Sequence, residues 1–214
     1  MPRVLDLYCG AGGASLGYHL AGFDVLGVDI NPQKNYPFSF LQMDALDFRN
    51  FDEFDLIHAS PPCQAHSNLR FIEHNKQFTY PDLIPQTREL LKNSGKPYVI
   101  ENLPTSPLEN TILLCGSMFN LNDGVFEIRR HRHFESSFTL PQLNDRCGHY
   151  VSLSVTGYSP YYRDPYLKKG VTVPKFVASR LMGITHATYI ELAQMIPPAY
   201  TRWIGEQFLQ RKEQ

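Results

Sequence analysis

The sequence predicts an α/β protein built on a doubly wound, mostly parallel sheet. Three observations predict it. Short apolar strands alternate with helical segments through the first hundred residues, and strands separated by helices form parallel crossover units. A glycine-rich turn, "DLYCGAGGASLG" (6–17), joins the first strand to the first helix. Two turns bearing reactive side chains, "SPPCQAHS" (60–67) and "ENLP" (101–104), follow later strands, and open parallel sheets bind ligands beyond the carboxyl ends of their strands.

The elements follow in order. "RVLDLY" (3–8) is a short apolar strand, and "GAGGASLGYHLAGF" (10–23) starts with glycines and turns helical. "DVLGVDI" (24–30) is a second strand, "FSFLQMDA" (38–45) a third, and "FDLIHAS" (54–60) a fourth that stops at Pro61-Pro62. "PDLIPQTRELLKNSG" (81–95) reads as a helix with Gly95 just past its end. "KPYVIENL" (96–103) is a fifth strand; "TILLCGSMF" and "GVFEIRRHRHF" supply later ones. From 135 to 174 the pattern loosens into Pro, Gly, Ser and Tyr, with "YVSLSVTG" as a further strand. "KFVASRLMG", "THATYIELAQMI" and "PPAYTRWIGEQFLQ" are C-terminal helices. No repeat or linker divides the chain, so residues 1–214 are read as one domain, with 135–174 a small irregular subdomain and 175–214 helices packing back on the core.

Composition narrows the class. No apolar run reaches the roughly 20 residues of a membrane span, and a strand from the first residues leaves no signal peptide. The four cysteines are widely spaced, without a CxxC pair, which fits a reducing, cytoplasmic setting. Net charge is −1, but residues 129–180 hold nine Lys and Arg against three acids, so this stretch is +6 and the remainder −7. Such asymmetry points to a face for a polyanion, scattered solvated charge being the alternative.

The glycine loop lets backbone approach a ligand closely and opens a helix whose first N–H groups suit a carboxylate. Asp29 ends the second strand, where an acid suits ribose hydroxyls; Asp44 ends the third, within reach of an adenine amino group. Ribose, adenine and carboxylate sites together point to S-adenosylmethionine. The candidate cofactor residues are Asp6, Tyr8, Gly10, Ala11, Gly12, Gly13, Asp29, Ile30, Asp44, Ala45 and Pro61. The loop alone also fits a tight turn made for helix–strand packing. Cys9 and Ser15 have no base nearby in sequence and are read as packing residues.

Cys63 lies just past the fourth strand, and Glu101 and Asn102 end the fifth. Alone, each has a bland reading, a small buried thiol and a solvated acid; on one edge with the glycine loop they read as catalytic. "DLYCGAGGASLG", "SPPCQ", "ENLP" and "RRHRH" occur in the order found in cytosine-C5 DNA methyltransferases, and residues 4–134 resemble that family, with a fainter echo in "ASRLMGI" and "IPPAYTRWIG". Amino-methyltransferases carry an aromatic residue after the prolines, where this chain has Cys63.

The resemblance implies a Rossmann-like fold of the S-adenosylmethionine-dependent methyltransferases and methylation of C5 of a cytosine flipped out of duplex DNA. It implies that Cys63 adds to C6 as a thiolate, that Glu101 hydrogen-bonds or protonates N3, and that Asn102 holds the thiol's loop. It implies that Arg130 and Arg132 contact the base carbonyl, a phosphate and the thiol's surroundings. Gln64, Ala65, His66 and Ser67 follow the nucleophile and suit the flipped base; Arg129 is a further substrate contact.

The chain departs from the family in three places. Ile128 stands where a Gln is usual, and "IPPAY" replaces a Gly-Asn motif, leaving Tyr200 as the cofactor-side candidate. Only 135–174 remains for target recognition, which implies a short or relaxed sequence preference and resembles the small enzymes carried by bacteriophages. Cys147 and His149 form a Cys-x-His pair, with Cys115, His131 and His133 as further ligand types, but their spacing makes no zinc motif and no metal is expected. DNA is the expected partner, with a monomer as default. The same chemistry on RNA or a free pyrimidine nucleotide is one alternative; a nucleic-acid binding module with a degenerate site is another.

Overall fold

The computed structural model describes residues 1–67, 80–143, 147–148, 153–154, 161–163, 170–172 and 174–211. The chain runs β1 (Arg3–Leu7), α1 (Gly13–Leu20), β2 (Asp24–Asp29), β3 (Ser39–Gln42), β4 (Leu56–Ala59), α2 (Ile84–Asn93) and β5 (Tyr98–Asn102). It continues with β6 (Ile112–Leu114), β7 (Phe126–Glu127), β8 (Arg132–Ser136), β9 (Leu153–Ser154), β10 (Tyr161–Arg163) and β11 (Gly170–Thr172). Helices α3 (Lys175–Met182), α4 (Tyr189–Gln194) and α5 (Pro198–Arg211) follow.

Seven strands form the main sheet in the order β3-β2-β1-β4-β5-β8-β6. The first five pair in parallel; β8 lies antiparallel to β5 and to β6. The expected doubly wound, mostly parallel sheet is therefore present, and its strand order reverses between β1 and β4, the switch point at which such sheets open a ligand crevice.

Both faces are covered, which is why the central strands β1, β4 and β5 are buried on both sides rather than alternating. Val4, Leu56 and Val99 face α1 and α5, among Tyr18, Phe23, Tyr200, Ile204 and Phe208. Leu5, Leu7, Ile57, Ala59 and Ile100 face the opposite layer with Phe48, Phe51, Phe54 and Leu91. Helix α5 packs on α1 through Thr201, whose Oγ1 donates to the Ala14 carbonyl at 2.8 Å. A Cβ on Gly17 would lie 2.0 Å from that oxygen, so the glycine sets the approach of the two helices.

The stretch read as one strand, "GVFEIRRHRHF", is two. Ile128 is fully buried and its N–H bonds to Leu121 O at 2.9 Å, which pulls the chain out of the sheet between β7 and β8. At the other end, β8 carries Glu135 and Ser136 into the main sheet, and Phe138 and Leu140 enter the core. The irregular segment thus parts from the sheet several residues later than position 135, and most of 144–173 lies outside the described residues. Among the described residues no helix is long and apolar enough to cross a membrane.

Candidate active site

The glycine loop leaves β1 through three left-handed residues, Tyr8 (φ 60°), Gly10 (φ 51°) and Gly12 (φ 90°). Tyr8 is the costly one, because a side chain at positive φ is disfavoured. Its hydroxyl is 2.9 Å from Thr87 Oγ1 on α2, which holds the strained residue in place. Gly12 caps α1, and a Cβ there would press on the Tyr36 ring at 3.1 Å. Asp29 accepts from Gly10 N (3.1 Å) and from Asn31 N (2.9 Å), so the carboxylate at the end of β2 is tied to the loop.

Beside Asp29, Ile30 is 62% exposed, an apolar side chain held in solvent at the crevice. Asp44 accepts from Leu46 N at 2.9 Å, capping the 3-10 turn Ala45–Asp47; the Tyr8 hydroxyl pKa is raised chiefly by burial, with a smaller contribution from the nearby Asp44. Ala45 and Pro61 are buried. Positive-φ backbone, a tethered carboxylate and an exposed Ile30 surface are gathered at the crevice, a lining whose chemistry fits S-adenosylmethionine.

Two cofactor expectations need correction. Tyr200 is fully buried, its ring among Phe119 and Phe134, with its hydroxyl donating to Arg130 O at 2.7 Å; it is a core residue and does not face the crevice. Asp6 is also fully buried. One of its oxygens accepts from Ser15 Oγ, which also lies 2.7 Å from the Tyr36 hydroxyl. Burial pushes the Asp6 carboxyl up to about 7, against Ser15, which lowers it. Asp6 therefore stands beneath the loop rather than in it. Cys9 is buried, as the packing reading requires.

The thiol loop is held by hydrogen bonds. Asn102 Nδ2 donates to Pro61 O at 2.9 Å, and Thr105 Oγ1 to His66 O at 2.7 Å. The His66 ring lies 3.0 Å from Asp82 Oδ1, so His66 is committed to the scaffold. Between these ties Cys63 caps a 3-10 turn, Gln64–His66, and is only half-buried; Gln64 is exposed and Ser67 half-buried.

Glu101 is buried and paired with Arg132, Nε to Oε1 at 2.8 Å. Burial raises the Glu101 pKa, while Arg132, Ser60 and Arg130 lower it. The Cys63 thiol is pushed up by burial and by Glu101, and drawn down by Arg132. Thiol, carboxyl and guanidinium thus lie within electrostatic reach of one another.

Sequence reasoning missed what stands behind Glu101. Ser60 hydrogen-bonds its carboxylate, and Ser60 Oγ is 3.0 Å from His58 Nε2. His58 Nδ1 is 3.1 Å from the Tyr18 hydroxyl. Burial pushes His58 down to about 3, so the ring is neutral. The donors then run Tyr18 O–H to Nδ1, Nε2–H to Ser60, and Ser60 O–H to Glu101. The signal available was the polar pair His58 and Ser60 inside and after an apolar strand.

The arginines divide. Arg132 joins the group, whereas the buried Arg130 guanidinium donates to Leu192 O at 3.0 Å and to Met195 O. Arg130 clamps the end of α4 and is not presented to a substrate, a correction to its expected role. Arg129 is paired with Glu127, Arg180 with Asp123, and Glu135 with Arg88 at 2.7 Å. Arg129, Arg132 and Arg180 of the +6 stretch are therefore paired with acids outside it, while Glu135 is taken up by Arg88.

A parallel sheet reversing at β1/β4, a glycine loop and an acid ending β2 make a nucleotide-type cofactor crevice, and the fold is that of the S-adenosylmethionine-dependent methyltransferases. Residues 2–104, the stretch that carries the glycine loop, Cys63 and Glu101, match the sequence model of the C-5 cytosine-specific DNA methylases. No curated protein matches the sequence. Among solved structures it is similar to a protein described as a DNA modification methyltransferase encoded within an E. coli prophage, with a TM-score of 0.62, 15% identity and 100% of each chain covered. The S. pombe Dnmt2 methyltransferase gives 0.65 and 15%, again with 100% of each chain covered. The Entamoeba histolytica methyltransferase EhMeth gives 0.64 and 12%, covering 100% of this chain and 99% of that one. At such identities these three speak for the fold.

Proposed function

We propose that the chain methylates C5 of a cytosine flipped out of DNA, through a covalent bond between Cys63 and C6. One observation carries the reading: the Cys63 turn is tied by Asn102 to the end of β5, next to the buried Glu101–Arg132 pair. C5 of cytosine is a poor nucleophile. Addition of the Cys63 thiolate at C6 moves electron density onto C5 and N3, and Glu101, its pKa raised by burial, donates a hydrogen bond or proton to N3. S-adenosylmethionine, when bound, supplies the methyl group from its sulfonium. After transfer, a base (water in this reading) takes the C5 proton. The electron pair of that C–H bond restores the ring double bond and expels Cys63 as thiolate.

Arg132 has two tasks. It orients Glu101 and lowers the thiol pKa, against burial that would keep sulfur protonated. Gln64 and Ser67, flanking the nucleophile, meet the base. The short stretch left for recognition supports a short or relaxed target.

DNA containing 5-fluorocytosine tests the reading, because fluorine does not leave C5 as a cation and elimination stalls. With S-adenosylmethionine present, wild-type protein should form an adduct that survives denaturation, with the base on Cys63. Cys63→Ser should form none while still binding the cofactor. An adduct on another residue, or methylation by Cys63→Ser, rejects the proposed nucleophile.

A further inference from the structure

We propose that Cys115, His131 and Cys147 form a binding site for a thiophilic divalent cation, zinc in the cell, separate from the methyl-transfer machinery. The three residues are far apart in sequence and meet for a topological reason. Strand β6 runs antiparallel to β8 with Leu114 opposite Arg132, so the next residues, Cys115 and His131, face each other past the end of the ladder. Cys147 joins them from beyond Leu143. One ligand atom from each residue lies within 4.8 Å of the other two, and His131 Nε2 is 3.0 Å from Cys147 Sγ.

The donor set selects the ion. Two sulfurs and an imidazole suit zinc, and the absence of a carboxylate from the trio disfavours calcium and magnesium. Zinc–ligand bonds of about 2.3 Å to sulfur and 2.0 Å to nitrogen put tetrahedral ligand atoms roughly 3.5–3.8 Å apart. The trio's ligand atoms, all within 4.8 Å of one another, already lie near that spacing. Binding is a proton exchange with no redox change: each thiol gives its proton to solvent, and neutral His131 offers the Nε2 lone pair. Three protein ligands leave the fourth position to water.

Ser117 supports the assignment. Its hydroxyl lies 3.3 Å from Cys115 Sγ and 3.8 Å from Cys147 Sγ, where it can donate to a thiolate. Metal-bound thiolates are commonly steadied by such outer donors.

The location says what the ion does. His131 precedes Arg132, the partner of Glu101, and Cys147 lies in the stretch that leaves the main sheet. The ion would staple the start of the recognition segment to the strand that carries Arg132. The glycine loop lies elsewhere, so cofactor binding should not depend on it.

The test uses the full chain, purified without chelator. Elemental analysis should find about one zinc per chain, as for a single mononuclear site. Cobalt(II) replacing zinc should give thiolate-to-metal charge-transfer absorption and the intense visible bands of a tetrahedral centre. Cys147→Ser and His131→Ala should each lose the metal and these bands while still binding S-adenosylmethionine, which shows that they fold. Ser117→Ala should keep the bands and weaken zinc roughly 10–100-fold, as loss of an outer-shell partner does. Cys63→Ser should retain the metal. Three results overturn the proposal: a cofactor-binding chain that takes up no divalent metal, metal retained by both ligand variants, or a Cys115–Cys147 disulfide found by mass spectrometry in its place.

Discussion

The glycine loop and the thiol loop leave neighbouring strands, β1 and β4, at one edge of the sheet, yet they are fixed by different forces. The first is shaped by what is missing. A Cβ at Gly12 would press on Tyr36 at 3.1 Å, one at Gly13 would meet Ile196 O at 2.6 Å, and one at Gly17 would meet Thr201 at 2.0 Å. The second has no glycine between Ser60 and Ser67 and is shaped by hydrogen bonds from Asn102 and Thr105, with Asp82 beside the His66 ring. Sterically set loops fail when atoms are added, and bonded loops fail when a partner is removed.

The largest expected effect is on the glycine side. Gly17→Ala forces a methyl into Thr201 and the Pro198 carbonyl, the latter 2.2 Å away and part of the backbone. The helices α1 and α5 must separate, at a cost of about 3 kcal/mol or more. Chemical denaturation should show it; a loss under about 1 kcal/mol would mean the helices slide freely.

Asp6, beneath the same loop, gives a pH effect. Its carboxyl is raised from 3.8 to about 7 in the folded chain, so the folded state binds that proton more tightly than the unfolded state. The resulting stability is complete below 3.8 and is lost as pH rises towards 7. The span is worth roughly 4 kcal/mol. Asp6→Asn should flatten this part of the stability–pH curve, read from urea midpoints at pH 5 and pH 8. An unchanged slope would assign the titration elsewhere.

This division also explains what the sequence made legible. The glycine loop, the acid ending β2 and the succession of strands and helices along the chain could be read because each is local: residue type and spacing within a short window dictate the conformation. Cys63, Glu101 and Asn102 were legible through motif resemblance. The resemblance also gave Asn102 its hold on the thiol loop, made here by the bond to Pro61 across 41 positions; the Thr105 support was not legible, because it reaches His66 across 39. Arg130 and Tyr200 were misread for a related reason. A motif gives an arginine's place in the chain and not its direction, and here the cost of burying that charge is offset by the carbonyls of Leu192 and Met195. The Cys115–His131–Cys147 trio depends on a strand register that no spacing rule encodes.

On the thiol side, Asn102→Ala removes the donor to Pro61 O and leaves a buried carbonyl unpaired. A stability loss of about 1–3 kcal/mol is expected. Adduct formation should slow more than cofactor affinity falls, since the glycine loop keeps its own constraints. Equal losses in both would show that the two loops are coupled and would undo the comparison.

The smallest effect concerns the ionisation of Cys63. Burial and Glu101 raise the thiol's pKa and Arg132 lowers it, so the thiolate fraction climbs with pH, and so should the alkylation rate. Arg132→Gln takes away the lowering influence and should move this profile to higher pH. At pH 8 alkylation by iodoacetamide should fall about 3–10-fold, the change expected of a pKa shift of up to roughly one unit. A control separates charge from geometry: Arg132→Lys keeps the positive charge but not the planar guanidinium, and should restore much of the alkylation rate without restoring the Glu101 contact. If Lys and Gln behave alike, Arg132 acts by positioning Glu101, and the thiol would have to be activated by the bound base and cofactor rather than by the resting site.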